Sequence, residues 1–147
     1  MYKLERDLVE DFLEILPASL FSKKGQAIYQ TEFDYSRGRT DIILLDGNNK
    51  LFAFEAKLKK WRDALHQAYR NTSFAQYSYI LVPEQVAEVA VKYAVEFSRR
   101  SVGICFVSGS EIKILHRAHQ NTPLQEYLYK RAKQLLLAGE HNGTRTH

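Results

Sequence analysis

Residues 38 to 61, GRTDIILLDGNNKLFAFEAKLKKW, carry charge where an apolar hairpin would hold none: Asp41 heads one apolar run, and Glu55 and Lys57 end the next. Side chains alternate along a strand, so Glu55 and Lys57 share a face with Leu51 and Ala53, while Phe52, Phe54, Ala56 and Leu58 share the other. Asp41 joins them only if the hairpin pairs it with Glu55. That needs an odd-length loop or a bulge around residues 47 to 49, since an even loop sets Asp41 opposite Phe54. Two carboxylates brought together on an apolar sheet repel each other, which raises a carboxyl pKa or calls for a counter-cation. Two hard oxygen donors suit magnesium, which keeps several waters and takes one or two carboxylates plus phosphate oxygens. A lysine beside them can orient or deprotonate a water and offset charge in a transition state. The chemistry implied is metal-assisted phosphodiester hydrolysis. A Glu-x-Lys tripeptide is common, however, and a plain ion pair at a sheet edge accounts for it when it stands alone.

The elements that must position these residues follow from periodicity. Leu4, Leu8, Phe12, Ile15 and Leu16 recur at helical spacing over residues 3 to 16, and Pro17 ends the pattern. Residues 27 to 35 alternate as a strand, and residues 41 to 45 and 50 to 57 form the hairpin around DGNN, whose residues tolerate the positive φ of a tight turn. The period then becomes helical from Lys59 to Tyr69, with Trp61, Ala64, Leu65, Ala68 and Tyr69 as the inward stripe and Asn71 and Thr72 closing it. A strand at 74 to 82, a helix from Pro83 through residue 98, strands at 102 to 107 and 111 to 115, and a helix at 122 to 138 complete the chain. Strands alternating with helices, and hairpin strands apolar on both faces, predict an α/β fold with a mixed sheet covered on both sides.

At 147 residues the chain fits one domain, here residues 1 to 138, with residues 139 to 147 (GEHNGTRTH to the end, from Gly139) a flexible tail that has little to bury. No apolar run approaches the roughly 18 residues of a membrane helix, and the charged, periodic N-terminus is unlike a signal peptide, so a cytoplasmic location is expected. With Cys105 as the single cysteine, an intrachain disulfide and a cysteine-based zinc site are excluded. The net charge of +4 is modest but uneven. Residues 1 to 16 are acidic, whereas Lys57, Lys59, Lys60, Arg62 and Arg70 make the segment after the hairpin basic, a pattern compatible with a polyanionic partner and also with a solvated helix face.

The segment GRTDIILLDGNNKLFAFEAK, set within the order helix, three strands, helix, strand, resembles the PD-(D/E)XK nuclease superfamily, which includes many restriction enzymes and archaeal Holliday-junction resolvases. The similarity covers about residues 3 to 82, and its specificity lies in spacing and element order rather than in the letters. It implies a restriction-endonuclease-like three-layer α/β/α fold with a central mixed sheet, and a magnesium-dependent deoxyribonuclease, most simply an endonuclease, with manganese as a substitute ion. It further implies Asp41 and Glu55 as metal ligands, the Ala56 carbonyl as a backbone ligand and Lys57 as the catalytic lysine. LERDLVEDFL looks like the resolvase pattern that places a glutamate on the first helix, nominating Glu5 ahead of Glu10, although an acidic residue there also stabilises the helix's positive end. Thr40 stands where the motif has proline. Some relatives carry a glutamine and a tyrosine four apart on the helix after the lysine strand; Gln67 and Tyr69 are two apart, which leaves Gln67 as a candidate facing the site and Tyr69 as a core residue.

Lys59, Lys60, Arg62 and Arg70 are the candidates for holding DNA phosphates. His116 and His119 lack a third ligand nearby and read as solvated. A chain with little beyond a minimal core is expected to draw specificity from DNA shape, from a homodimer or from another subunit. Two other functions fit the same fold: a module that binds nucleic acid or protein without cutting, and a structural domain whose hairpin charges simply pair.

Overall fold

The computed structural model describes residues 2–22, 26–35 and 38–141. Six strands form one sheet in chain order: β1 (Ile28–Asp34), β2 (Arg39–Leu45), β3 (Leu51–Ala56), β4 (Tyr77–Leu81), β5 (Val102–Ser108) and β6 (Glu111–His116). The first three pair antiparallel, β3, β4 and β5 run parallel, and β6 returns antiparallel. Each parallel step needs a crossover, supplied by α2 (Trp61–Asn71) and by α3 (Glu84–Ala90) followed by α4 (Ala94–Arg100). Helix α1 (Glu5–Ile15) precedes the sheet and α5 (Glu126–His141) follows it. Among the described residues no helix is long and apolar enough to cross a membrane.

Strand alternation sorts the core onto two faces. Ile42, Leu44, Phe52, Phe54, Tyr79, Leu81 and Cys105 pack beneath α1, where Leu8 and Phe12 are fully buried. The ring of Phe12 meets that of Phe54 at 4.9 Å, and burying such a side chain contributes about 1.5–3 kcal/mol. On the opposite face Ile80, Val82, Ile104 and Phe106 pack under α2, α3 and α4, while Ile43, Leu45, Leu51 and Ala53 meet Phe74 and the α5 residues Ala132 and Leu136. Gly103 is required by a close approach: a Cβ there would lie 2.4 Å from the Tyr79 ring and 2.6 Å from the His116 carbonyl. Burial pushes the Cys105 thiol up, as suits an inert core cysteine.

Several elements depart from the periodicity. The single helix expected from Pro83 to residue 98 is broken by a 3-10 turn at Val91–Tyr93, which still leaves Ala87, Ala90 and Phe97 buried. The strand expected from residue 74 begins at Tyr77, because Phe74 and Ala75 are consumed by a turn in which both their N–H groups donate to the Asn71 carbonyl. The last helix starts at Glu126 rather than 122 and continues through His141, so residues 139 to 141 of the expected tail are helical; residues 142–147 lie outside the described residues.

Candidate metal and phosphodiester site

The hairpin turn decides whether the charged residues meet. The Asp46 N–H donates to the Lys50 carbonyl at 3.0 Å, closing a loop of Gly47, Asn48 and Asn49, and the Asp46 carboxylate accepts the N–H groups of Asn48 and Lys50, each at 2.9 Å. Asn49 takes the left-handed conformation, with φ 64°, that such a three-residue loop needs at its end. The loop is odd. The ladder therefore reads Leu45 with Leu51, Leu44 with Phe52, Ile43 with Ala53 and Ile42 with Phe54, and its next step sets Asp41 across from Glu55.

At that step the backbone ladder stops and a side chain takes over: Asp41 Oδ2 accepts the Ala56 N–H at 2.8 Å. Glu55 lies beside it, 2% exposed. Burial first, and then the charge of Asp41 and a hydrogen bond with its carboxyl, raise the Glu55 carboxyl from the ordinary glutamate range to about 8; the Asn71 amide and the Arg70 guanidinium oppose the rise. Among the described residues no salt bridge reaches Asp41 or Glu55, and the cation nearest Glu55 in sequence, Lys57, pairs with Glu5.

The surroundings extend the acidic character. A cavity of about 340 Å³ between α1 and the sheet is lined by Glu5, Glu10, Glu32, Asp41 and Ala56, with Arg6 as its cation. The pairs Thr31 with Ile42 and Phe33 with Thr40 place Glu32 across β2 from Asp41, and Glu32 holds φ 57°, a conformation a non-glycine residue seldom adopts. Lys57 leaves the end of β3 with its N–H donating to the Leu81 carbonyl at 3.2 Å, and its half-buried ammonium lies 3.9 Å from Glu5 Oε2. That ion pair distinguishes Glu5 from Glu10, which lines the same cavity without reaching Lys57. A larger groove of about 630 Å³ runs along α1 past Asp7, Glu10, Asp11 and Glu14, away from Asp41 and Glu55. No group of three or more His, Cys, Asp or Glu side chains close enough to hold a metal occurs among the described residues, so any ion would rest on two carboxylates completed by backbone oxygen, water or substrate.

The other sequence candidates are placed unevenly. Gln67 is half-buried on α2 and makes no side-chain hydrogen bond to the cluster among the described residues. Tyr69 is 51% exposed, not a core residue, because the buried stripe of α2 runs through Trp61, Ala64, Leu65, Ala68 and Asn71 and leaves position 69 on the outside. Arg62 is engaged away from the cavity: its guanidinium lies over the Trp61 and Tyr93 rings, at 4.4 and 4.8 Å, and reaches Glu96 at 2.8 Å. Lys59 and Lys60 are exposed in the turn that leads from Lys57 into α2, and Arg70 is exposed beside Gly38, whose added Cβ would sit 3.6 Å from the guanidinium. His116 stands 3.2 Å from Ser98 Oγ, on the far side of the sheet order from β2.

Asn71 does end α2, as the periodicity predicts, and it is also a fully buried member of the site. Its Nδ2 donates to Glu55 Oε2 at 2.8 Å, while its Oδ1 accepts the hydroxyls of Thr40 at 2.9 Å and Tyr35 at 3.3 Å. The signal was present: positions 61, 64, 68 and 71 form one helical stripe, and a polar residue in such a stripe needs a buried partner.

No family model and no curated protein sequence matches this chain. Among solved structures it is similar to the SPO1766 protein of unknown function from Silicibacter pomeroyi, with a TM-score of 0.63 at 14% identity over 92% of this chain and 84% of that one. The likeness extends to the fold, an α/β arrangement with a six-stranded mixed sheet.

Proposed function

We propose that this chain is a metal-dependent nuclease of the restriction-endonuclease-like, three-layer kind, hydrolysing DNA phosphodiester bonds and most simply acting as an endonuclease. The observation that carries the reading is the pairing of Asp41 with the buried Glu55 at the open end of the β2/β3 hairpin, where Asp41 lines a cavity together with Glu5, Glu10 and Glu32. An acidic cleft repels a polyanion unless cations intervene, and two hard oxygen ligands fit magnesium or manganese. Asp41 and Glu55 would hold such an ion, with the Ala56 carbonyl as the backbone donor; when bound, it would supply charge neutralisation at the scissile phosphate.

The chain's own groups do the rest. Lys57, tethered to Glu5, would orient the attacking water and offset negative charge developing on the phosphate oxygens. Glu5 holds that ammonium toward the cavity. Lys59 and Lys60, exposed in the turn after Lys57, and Arg70, exposed on α2, suit the flanking phosphates, contacts that position a strand without reading its sequence. Specificity then falls to DNA shape, to a second copy of the chain or to another subunit.

A second reading has its own support. A Glu55 carboxyl raised to about 8 retains its proton at neutral pH and can share it with Asp41, which describes a catalytically silent module that binds nucleic acid or protein through its basic residues. Incubating the protein with supercoiled, single-stranded and branched DNA separates the two. Cleavage that needs Mg²⁺ or Mn²⁺ and is abolished by both Asp41→Asn and Lys57→Ala supports the nuclease. DNA binding that survives EDTA and falls steeply with salt, with no substrate cut, supports the silent module.

A further inference from the structure

We propose that Asn71 is a positioning residue that fixes Glu55 for cation binding, and that the hydroxyl of Thr40 sets the polarity of the Asn71 amide. This rests on the reading of Asp41 and Glu55 as the cation ligands. An asparagine amide has two unlike ends, and which end faces a carboxylate decides whether the contact attracts or repels. Here Oδ1 is occupied by two hydroxyl donors, Thr40 at 2.9 Å and Tyr35 at 3.3 Å, so the N–H end is directed at Glu55 Oε2 at 2.8 Å. A flipped amide would lose both hydroxyl donors and turn its oxygen on the carboxylate.

The main chain of Asn71 is equally constrained. Its carbonyl accepts the N–H groups of Phe74 at 3.1 Å and Ala75 at 2.9 Å, and both residues are fully buried against β2 and β3. One level back, Ser78 of β4 donates its hydroxyl to the Ala68 carbonyl at 2.6 Å and ties the same turn of α2 to the sheet. Glu55 is thus held from a rigid element through one of its two oxygens, with the Asp41 carboxyl beside it as its companion ligand. Thr40 and Asp41 are adjacent on β2, so alternate side chains of one strand serve one ligand indirectly and supply the other. An ion's outer partners of this kind typically change its affinity by about 10- to 100-fold when removed.

Manganese binding, read from the EPR signal of free Mn²⁺, tests this without any need for cleavage. Thr40→Val removes the hydroxyl at nearly constant shape, Thr40→Ser keeps it, and Asn71→Leu removes the amide. We expect Thr40→Val and Asn71→Leu to weaken Mn²⁺ binding about tenfold or more, and Thr40→Ser to stay within about twofold of the parent chain. Unchanged affinity in a folded Thr40→Val or Asn71→Leu variant, or equal losses in Thr40→Val and Thr40→Ser, overturns the positioning role while leaving the cation site standing. Should Asn71→Leu fail to fold, the two Thr40 variants decide alone. Absence of Mn²⁺ binding by the parent chain overturns the cation site and this inference together.

Discussion

The Asp41 carboxylate accepts the N–H of Ala56 at 2.8 Å, the place a strand carbonyl would occupy if the β2/β3 ladder continued. One side chain thus ends the hairpin and faces Glu55, and two substitutions separate these tasks. Asp41→Ala leaves the Ala56 N–H without its acceptor and should cost about 1–3 kcal/mol in a urea melt. Asp41→Asn keeps an oxygen acceptor and removes the charge that opposes ionisation of Glu55, so the metal-free variant should be at least as stable as the parent. On the proposed function, cleavage should be lost in both. A marked loss of stability in Asp41→Asn would contradict the assigned repulsion.

Glu55 makes stability pH-dependent with a definite sign. An unfolded glutamate releases its proton near 4.5, whereas folded Glu55 retains it to about 8, so the folded chain binds the extra proton between those values. Stability contributed by that proton is complete below about pH 4.5 and is lost as pH rises toward 8, with a slope reaching about 1.4 kcal/mol per pH unit. Urea midpoints of the metal-free protein at pH 6 and pH 8.5 should therefore fall with pH. Glu55→Gln should flatten that dependence; an equally steep fall in the variant would assign the proton elsewhere.

The strand pair and its charged residues were legible in the sequence because period-two alternation and an Asp-Gly turn leave a local trace. Register was not, since it depends on how many residues the turn consumes, and only the Asp46 hydrogen bonds to Asn48 and Lys50 settle that number as odd. Asn71 was obscured for a related reason: asparagine is ordinary at a helix end, and only its place on the stripe of Ala64 and Ala68 marks it as buried. Tyr69 shows the converse error, an aromatic counted into the inward stripe of α2 although position 69 lies to the side of the stripe that is buried.

Register can itself be perturbed. Asp46→Ala removes the acceptor for two N–H groups at the edge of the loop and should cost about 1–2 kcal/mol, a value reduced from the buried case because water can reach the exposed part of the turn. Asn49→Gly should be tolerated, since φ 64° suits glycine, whereas Asn49→Val should destabilise by more than about 1 kcal/mol. Thermal melts of the three variants check this order. Equal stability of Asn49→Gly and Asn49→Val would mean that the left-handed residue does not hold the turn.

Lys57 and Glu5 separate function from stability most cleanly. Their charges lie 3.9 Å apart with Glu5 half-exposed, and exposed ion pairs of that length contribute only about 0–1 kcal/mol. Neither Lys57→Ala nor Glu5→Gln should shift a denaturation midpoint appreciably. On the proposed function, however, Lys57→Ala removes the group that orients water and offsets charge, and should lower the cleavage rate by about 10²–10⁴-fold. Glu5→Gln should lower it less, and Glu10→Gln least, because Glu10 lines the cavity without contacting Lys57. Single-turnover cleavage by the three variants, each checked for an unchanged melt, orders them. A Glu10→Gln defect larger than that of Glu5→Gln would reassign the helix carboxylate.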